Sequence, residues 1–174
     1  TFKTDEKDTT YNIDQKFTYQ DLQEHRYYFG ETDVPADAKT ACTTEIGTHT
    51  YSRLRLAYDG VDSFDKFSYT AGGNTTEMEL VSAADVANGA GSDGKIIVYD
   101  NEEQWRAATV NANGDDALTL DKDAVIFLKE TGELVLGKNI AHTMAQTKAE
   151  FSMSYTKTGF DAGEARPEYY YDCK

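Results

Sequence analysis

Short runs of alternating apolar and polar residues dominate the chain. Between Tyr51 and Tyr58, Leu54, Leu56 and Tyr58 fall on one side and Arg53 and Arg55 on the other, the two-residue period of a half-buried strand. Asp59-Gly60 then signals a turn. Phe64 to Thr70 alternates again, with Phe67 and Tyr69 together. After Gly72-Gly73-Asn74, the stretch Thr76 to Val81 sets Met78 and Leu80 against Glu77 and Glu79. Lys95 to Tyr99, Gln104 to Val110, Ala124 to Leu128 and Glu133 to Leu136 read as further strands. The acidic turn Asp100 to Glu103, the polar turn Asn111 to Asp116 and Thr131-Gly132 separate them, and Ala84 to Gly94 reads as a flexible loop. The aromatic run Arg26-Tyr27-Tyr28-Phe29 opens the series, followed by a loop from Gly30 to Lys39. Seven or eight short strands broken by turn residues predict an all-β domain, an up-and-down barrel or a sandwich.

Two segments depart from that period. Phe17 to His25 reads as a short helix, capped by Thr18 with Asp21 three residues on and Leu22 facing inward. Ile140, Met144, Ala145, Lys148 and Phe151 recur at three- and four-residue spacing behind Asn139, a plausible cap, which predicts one amphipathic helix packed outside the sheet. Residues 1–16 are polar and charged and read as an extended arm. With no internal repeat and no low-complexity linker, residues 1–174 form a single domain.

Composition narrows the partners. The chain has 174 residues with a net charge of −14, 39% hydrophobic and 12% aromatic, a profile of a globular domain large enough to build a core. So acidic a surface repels nucleic acid and anionic membranes, and no stretch approaches the 18 apolar residues of a spanning helix. A cationic ligand is easier to accommodate. Cys42 and Cys173 are far apart and form no CxxC pair, leaving two core thiols or one long-range disulfide. Cys173 sits in a polar, aromatic tail where a free thiol gains little from burial, which favours the bridge. Closing so long a loop stabilises by about 4–5 kcal/mol in chain-entropy models. A disulfide implies secretion, the start at Thr1 without a signal sequence fits a processed chain, and Asn74-Thr75-Thr76 is a glycosylation sequon.

No catalytic constellation emerges. His25, His49 and His142 are scattered, and neither GxSxG nor HExxH occurs. Gly89 to Gly94 lies between strands rather than before a helix, and the acidic pairs lack EF-hand spacing. No enzyme, cofactor or metal site is therefore expected. Binding is the better idea, because an eight-stranded barrel encloses room for one small ligand. Tyr28, Tyr58, Phe67, Tyr69, Tyr99, Trp105 and Phe127 are candidate lining groups.

The order of these segments resembles the tick salivary lipocalins, and the soft-tick branch most. Tyr27-Tyr28-Phe29 through Cys42 resembles that family's first strand, loop and first half-cystine. Ala57-Tyr58-Asp59-Gly60, Ile96 to Asp100, Val125 to Leu136 and Tyr171-Asp172-Cys173 resemble later strands, turns and the closing half-cystine. The other half-cystines common in the family and the Gly-x-Trp of vertebrate lipocalins are missing. The resemblance implies an eight-stranded antiparallel up-and-down lipocalin barrel with a short N-terminal helix and one C-terminal helix outside. It also implies a Cys42–Cys173 bridge and a secreted, non-enzymatic scavenger of a host mediator. The ligand would be a biogenic amine such as serotonin or histamine, a leukotriene-like lipid, or an immune protein met by the loops.

A buried amine needs a carboxylate and aromatic faces, and the tyrosine-rich acidic composition favours it. The family's amine signature is Cys-Asp followed by Glu-Leu-Trp or Glu-Leu-Tyr. Here the matching stretches read Arg106-Ala107 and Ala124-Val125-Ile126, without those carboxylates. Glu77, Asp33 and Asp100 are the substitutes expected beside Tyr28, Tyr58, Tyr99 and Trp105. Arg53, Arg55, Lys95 and Arg106 would serve a lipid carboxylate instead. A monomer is expected.

Overall fold

The computed structural model describes residues 10–18, 43–46, 49–56, 58, 60–87, 94–109, 124–137, 140, 146 and 148–158. Nine strands are formed: β1 (Thr10–Phe17), β2 (Thr43–Ile46), β3 (His49–Arg55), β4 (Ser63–Ala71), β5 (Asn74–Ser82), β6 (Lys95–Tyr99), β7 (Val125–Leu128), β8 (Glu133–Leu136) and β9 (Glu150–Thr158). Two short helices, α1 (Ala83–Ala87) and α2 (Glu102–Thr109), lie between β5 and β6 and between β6 and β7. The strands make one mixed sheet in the order β1-β9-β4-β5-β6-β7-β8-β3-β2, curled into a half-barrel. No helix among the described residues is long and apolar enough to cross a membrane.

The mostly-β expectation holds, but the up-and-down antiparallel order does not. β5 with β6, and β6 with β7, run parallel. A parallel neighbour needs a crossover, and α1 and α2 sit in those two crossovers. Helices there cover the outer face of the central strands, so these strands are apolar on both sides rather than alternating. Lys-Ile-Ile-Val-Tyr, Val-Ile-Phe-Leu and Glu-Leu-Val-Leu are such runs.

Two cores result. Phe17, Leu54, Leu56, Phe64, Phe67, Met78, Ile96, Phe127, Leu134, Phe151 and Tyr155 belong to the inner cluster. Tyr51, Val86, Ile97, Tyr99, Trp105, Ile126 and Val135 form the outer cluster beneath the helices. The curl is visible in one contact. Phe64 on β4 stacks on Phe127 on β7 at 4.3 Å between centroids, although β5 and β6 separate their strands. Three strand spacings on a flat sheet span about 14 Å.

Four local expectations are corrected. The supposed arm ends in β1, whose residues 10–17 pair one for one with β9. The strand expected over Gln104–Val110 is α2 up to Thr109. Asn101 Oδ1 accepts the Gln104 amide at 2.8 Å, an N-cap where a turn was read. The loop from Ala84 begins instead inside α1. The late helix does not reach Phe151, which is on β9; Ile140 and Gln146 are helical. Phe151, Met153, Tyr155 and Lys157 all point inward there, so the strand period of two prevails. Phe17 closes β1 and so lies outside any helix; residues 19–42, with Tyr28, Asp33 and Cys42, are outside the described residues, as is Cys173.

Candidate functional site

The remaining sheet, β1-β9-β4-β5, is antiparallel, and among the described residues α1 reaches only its β5 edge, where Val81 packs against the outer cluster. Its inward positions are mostly apolar, with Gln15 and Lys157 among the exceptions, and its outward ones mostly polar, as one-sided burial requires. Register then dictates which outward side chains meet. Lys16, Ser152 and Ser68 stand in one row across β1, β9 and β4, continued by Glu77 on β5. Asp14, Ser154 and Lys66 stand in the next row. A bulge between Phe64 and Lys66 brings Lys66 opposite Ser154.

Small side chains on the middle strand, with longer ones beside them, leave a trough of about 390 Å³. Asp14, Gln15, Lys16, Lys66, Ser68, Ser152, Met153 and Ser154 line it. Gln15 is held from the inner side, where its Oε1 accepts the Tyr155 hydroxyl at 2.7 Å. Both lysines are engaged at the rim. Lys16 Nζ is 2.7 Å from Glu150, and Lys66 Nζ is 3.7 Å from Glu77. These pairs are solvated, each worth about 0–1 kcal/mol. Asp14 has no ion pair and no side-chain hydrogen bond among the described residues, so the group carries one carboxylate in excess.

The hydroxyls divide in the same way. Away from the trough they pair across strands: Ser63 with Thr156 at 2.6 Å, Thr10 with Thr158 at 2.8 Å and Thr70 with Thr75 at 2.8 Å. Inside it, the Ser68, Ser152 and Ser154 hydroxyls have no protein partner among the described residues. The trough therefore offers one carboxylate, three hydroxyls and the stems of two lysines over a sheet floor.

The residues singled out from the sequence lie on separate surfaces. Tyr58 packs, partly buried, against the inner cluster. Tyr99 and Trp105 are buried in the outer cluster, with the Arg106 guanidinium 5.3 Å from the Trp105 ring centroid. Asp100 is exposed and pairs with Lys129 at 3.1 Å. Glu77 alone touches the trough, through Lys66. Asn74 is exposed at the start of β5, after a Gly72-Gly73 turn whose positive φ values of 59° and 84° suit glycine. Asp14, Lys16, Ser68, Ser152 and Ser154 were not anticipated; the signal lay in the strict alternation of residues 151–157.

A second polar cluster joins α2 to the sheet. Arg53 donates from Nε and Nη2 to Glu133 at 2.7 and 2.9 Å, and from Nη2 to Glu102 at 2.7 Å; Arg106 Nε donates to Glu102 at 2.9 Å. Burial alone would raise the Glu102 carboxyl, but Arg53 and Arg106 outweigh it and hold it below its ordinary range. Burial likewise works against the Arg53 charge, and Glu133 and Glu102 outweigh it, raising that group further. These bonds tie α2 to β3 and β8 of the sheet. No protein-family model, no curated protein and no solved structure matches the chain.

Proposed function

We propose that the protein is a secreted, non-enzymatic scavenger that captures a small biogenic amine, with the ligand lying in the outer trough. The observation that carries this is Asp14, a carboxylate in a concavity with no cation of its own among the described residues. An ammonium seated there gains a charge-assisted hydrogen bond. The net charge of −14 favours encounter with a cation, modestly at physiological salt. The lysines do not oppose it strongly, since Glu150 and Glu77 already neutralise them. The resemblance to tick lipocalins supplies the scavenging role, and the location is this reading's own. The described inner face is packed with buried Phe, Leu, Ile and Met side chains, so the reading does not depend on a hollow interior.

Calorimetry with serotonin, histamine and a leukotriene tests the proposal. Amine binding weakened about ten- to a hundredfold by Asp14→Asn is expected, the loss of one charged hydrogen bond. Silence toward both amines, a response to the leukotriene alone, or an unchanged amine affinity in Asp14→Asn refutes it.

A further inference from the structure

The tip of the β4–β5 hairpin takes no part in the trough. Asn74, Thr75 and Thr76 open β5 there, and all three are exposed. Alternation sends their side chains to opposite faces. Thr75 is on the trough side, where its hydroxyl pairs with that of Thr70 at 2.8 Å. Asn74 and Thr76 share the other face with Met78, and neither side chain has a hydrogen-bond partner among the described residues. Just ahead of them, nothing among the described residues comes within 4 Å of where a Cβ would stand on Gly72 or Gly73. A sequon needs an amide at its first position and a hydroxyl at its third. Here both are uncommitted, on one face and beside open space.

Pairing of β5 is incomplete at the same place. β4 bonds to it from Asn74 to Met78, but on its other side β6 joins only from Glu79 onward. Among the described residues, Asn74 to Met78 therefore present an open strand edge. Such an edge is a template for a strand of another chain unless charge, proline, a bulge or a cover blunts it. Glu77 is the one charge on this stretch, and neither proline nor bulge interrupts it. Its two threonines are β-branched and suit strand pairing.

From these observations we propose that Asn74 carries an N-linked oligosaccharide and that the sugar covers the open edge of β5. This rests on the secreted character proposed above, because that modification belongs to secreted chains, and it is independent of the amine. In the transfer, the Asn74 side-chain nitrogen bonds to the anomeric carbon of a sugar carried on a lipid pyrophosphate. The bond from that carbon to the pyrophosphate breaks, the lipid pyrophosphate leaves with the electron pair, and the amide proton passes to a base of the transferase. The sugar hangs from the first residue of the edge, on the face opposite the trough, and leaves the trough open.

The test secretes the chain from insect cells behind a cleavable leader, alongside Asn74→Gln, Thr76→Ala and Thr76→Ser. These positions are exposed, and melting curves verify that the variants remain folded. Intact mass before and after peptide-N-glycosidase reads the sugar. The expected result is a glycan on the wild type and on Thr76→Ser, released with conversion of the asparagine to aspartate, and its complete loss in Asn74→Gln and Thr76→Ala. Sedimentation velocity over a concentration series at physiological salt reads the cover. The wild type holds one sedimentation coefficient throughout, whereas that of Asn74→Gln rises with concentration. Wild-type chain recovered from the medium without sugar overturns the inference and leaves the amine reading standing. Equal sedimentation of the wild type and Asn74→Gln overturns the covering role. Amine calorimetry on the glycosylated chain decides the other reading separately.

Discussion

Replacing Arg53 by Met isolates the cost of stranding a buried carboxylate. Arg53 is the shared cation of two acids, with side-chain exposures of 19% for Arg53 and 9% for Glu133 in that pair. Its removal leaves Glu133 without a counterion on a strand whose every residue is buried. Breaking a fully buried pair from one side costs about 3–5 kcal/mol. The remaining exposure of Arg53 and the escape of Glu102, one-third exposed, toward Arg106 reduce this to about 2–3 kcal/mol. Lys16→Met, which breaks the solvated Lys16–Glu150 pair, is the control and costs about 0–1 kcal/mol. Urea unfolding at neutral pH, followed by far-ultraviolet circular dichroism, reads both as shifts in midpoint at constant slope. Adding Glu133→Leu to Arg53→Met removes the stranded charge and recovers most of the loss. If Arg53→Met costs no more than Lys16→Met, or if Glu133→Leu fails to rescue it, the burial of this pair has been misjudged.

The same cluster predicts a pH dependence. Glu102 titrates below its unfolded value of 4.5, so it contributes stability above that value and loses it as pH falls through the depressed folded one. Urea midpoints measured from pH 6 to pH 3 fall less steeply in Glu102→Gln than in the wild type. Trp105→Ala, at a fully buried position, costs about 3–5 kcal/mol on the same assay and leaves amine affinity unchanged, because Trp105 is in the outer core and not in the trough. Asn101→Ala removes the cap of α2 and costs about 1 kcal/mol, while Asn101→Asp retains it.

Much of the strand content was legible because the informative residues are apolar and evenly spaced. Leu54, Leu56 and Tyr58 mark β3 and its continuation, and the hairpin of β4 and β5 shows in Phe67, Met78 and the two glycines between them. β1 was obscured because an edge strand buried on one side needs few apolar residues: Ile13 and Phe17 are its only strongly apolar ones apart from Tyr11. β9 was hidden when Phe151 completed an apparent helical spacing that began at Ile140. Sheet order was less legible. The apolar runs of β6, β7 and β8 announce burial on both faces, but nothing local states that β6 lies parallel to both its neighbours. The trough escaped notice because serine and lysine on a strand usually mean only a wetted surface. Three strands distant in sequence must be laid side by side before Ser152 and Ser154 become a floor.

The two halves of the sheet are secured very unequally. β6, β7 and β8 are clamped between two cores, whereas β1 is the last strand of the order and bonds only to β9 among the described residues. Amide hydrogens at the β1–β9 seam should therefore exchange through partial opening well before those of β7 require global unfolding. Asp14 and Lys16 travel with β1, so each such detachment dismantles one wall of the trough. A bound molecule spanning β1 and β4 acts as a clasp, and slowed deuterium uptake confined to that seam is the fingerprint it leaves.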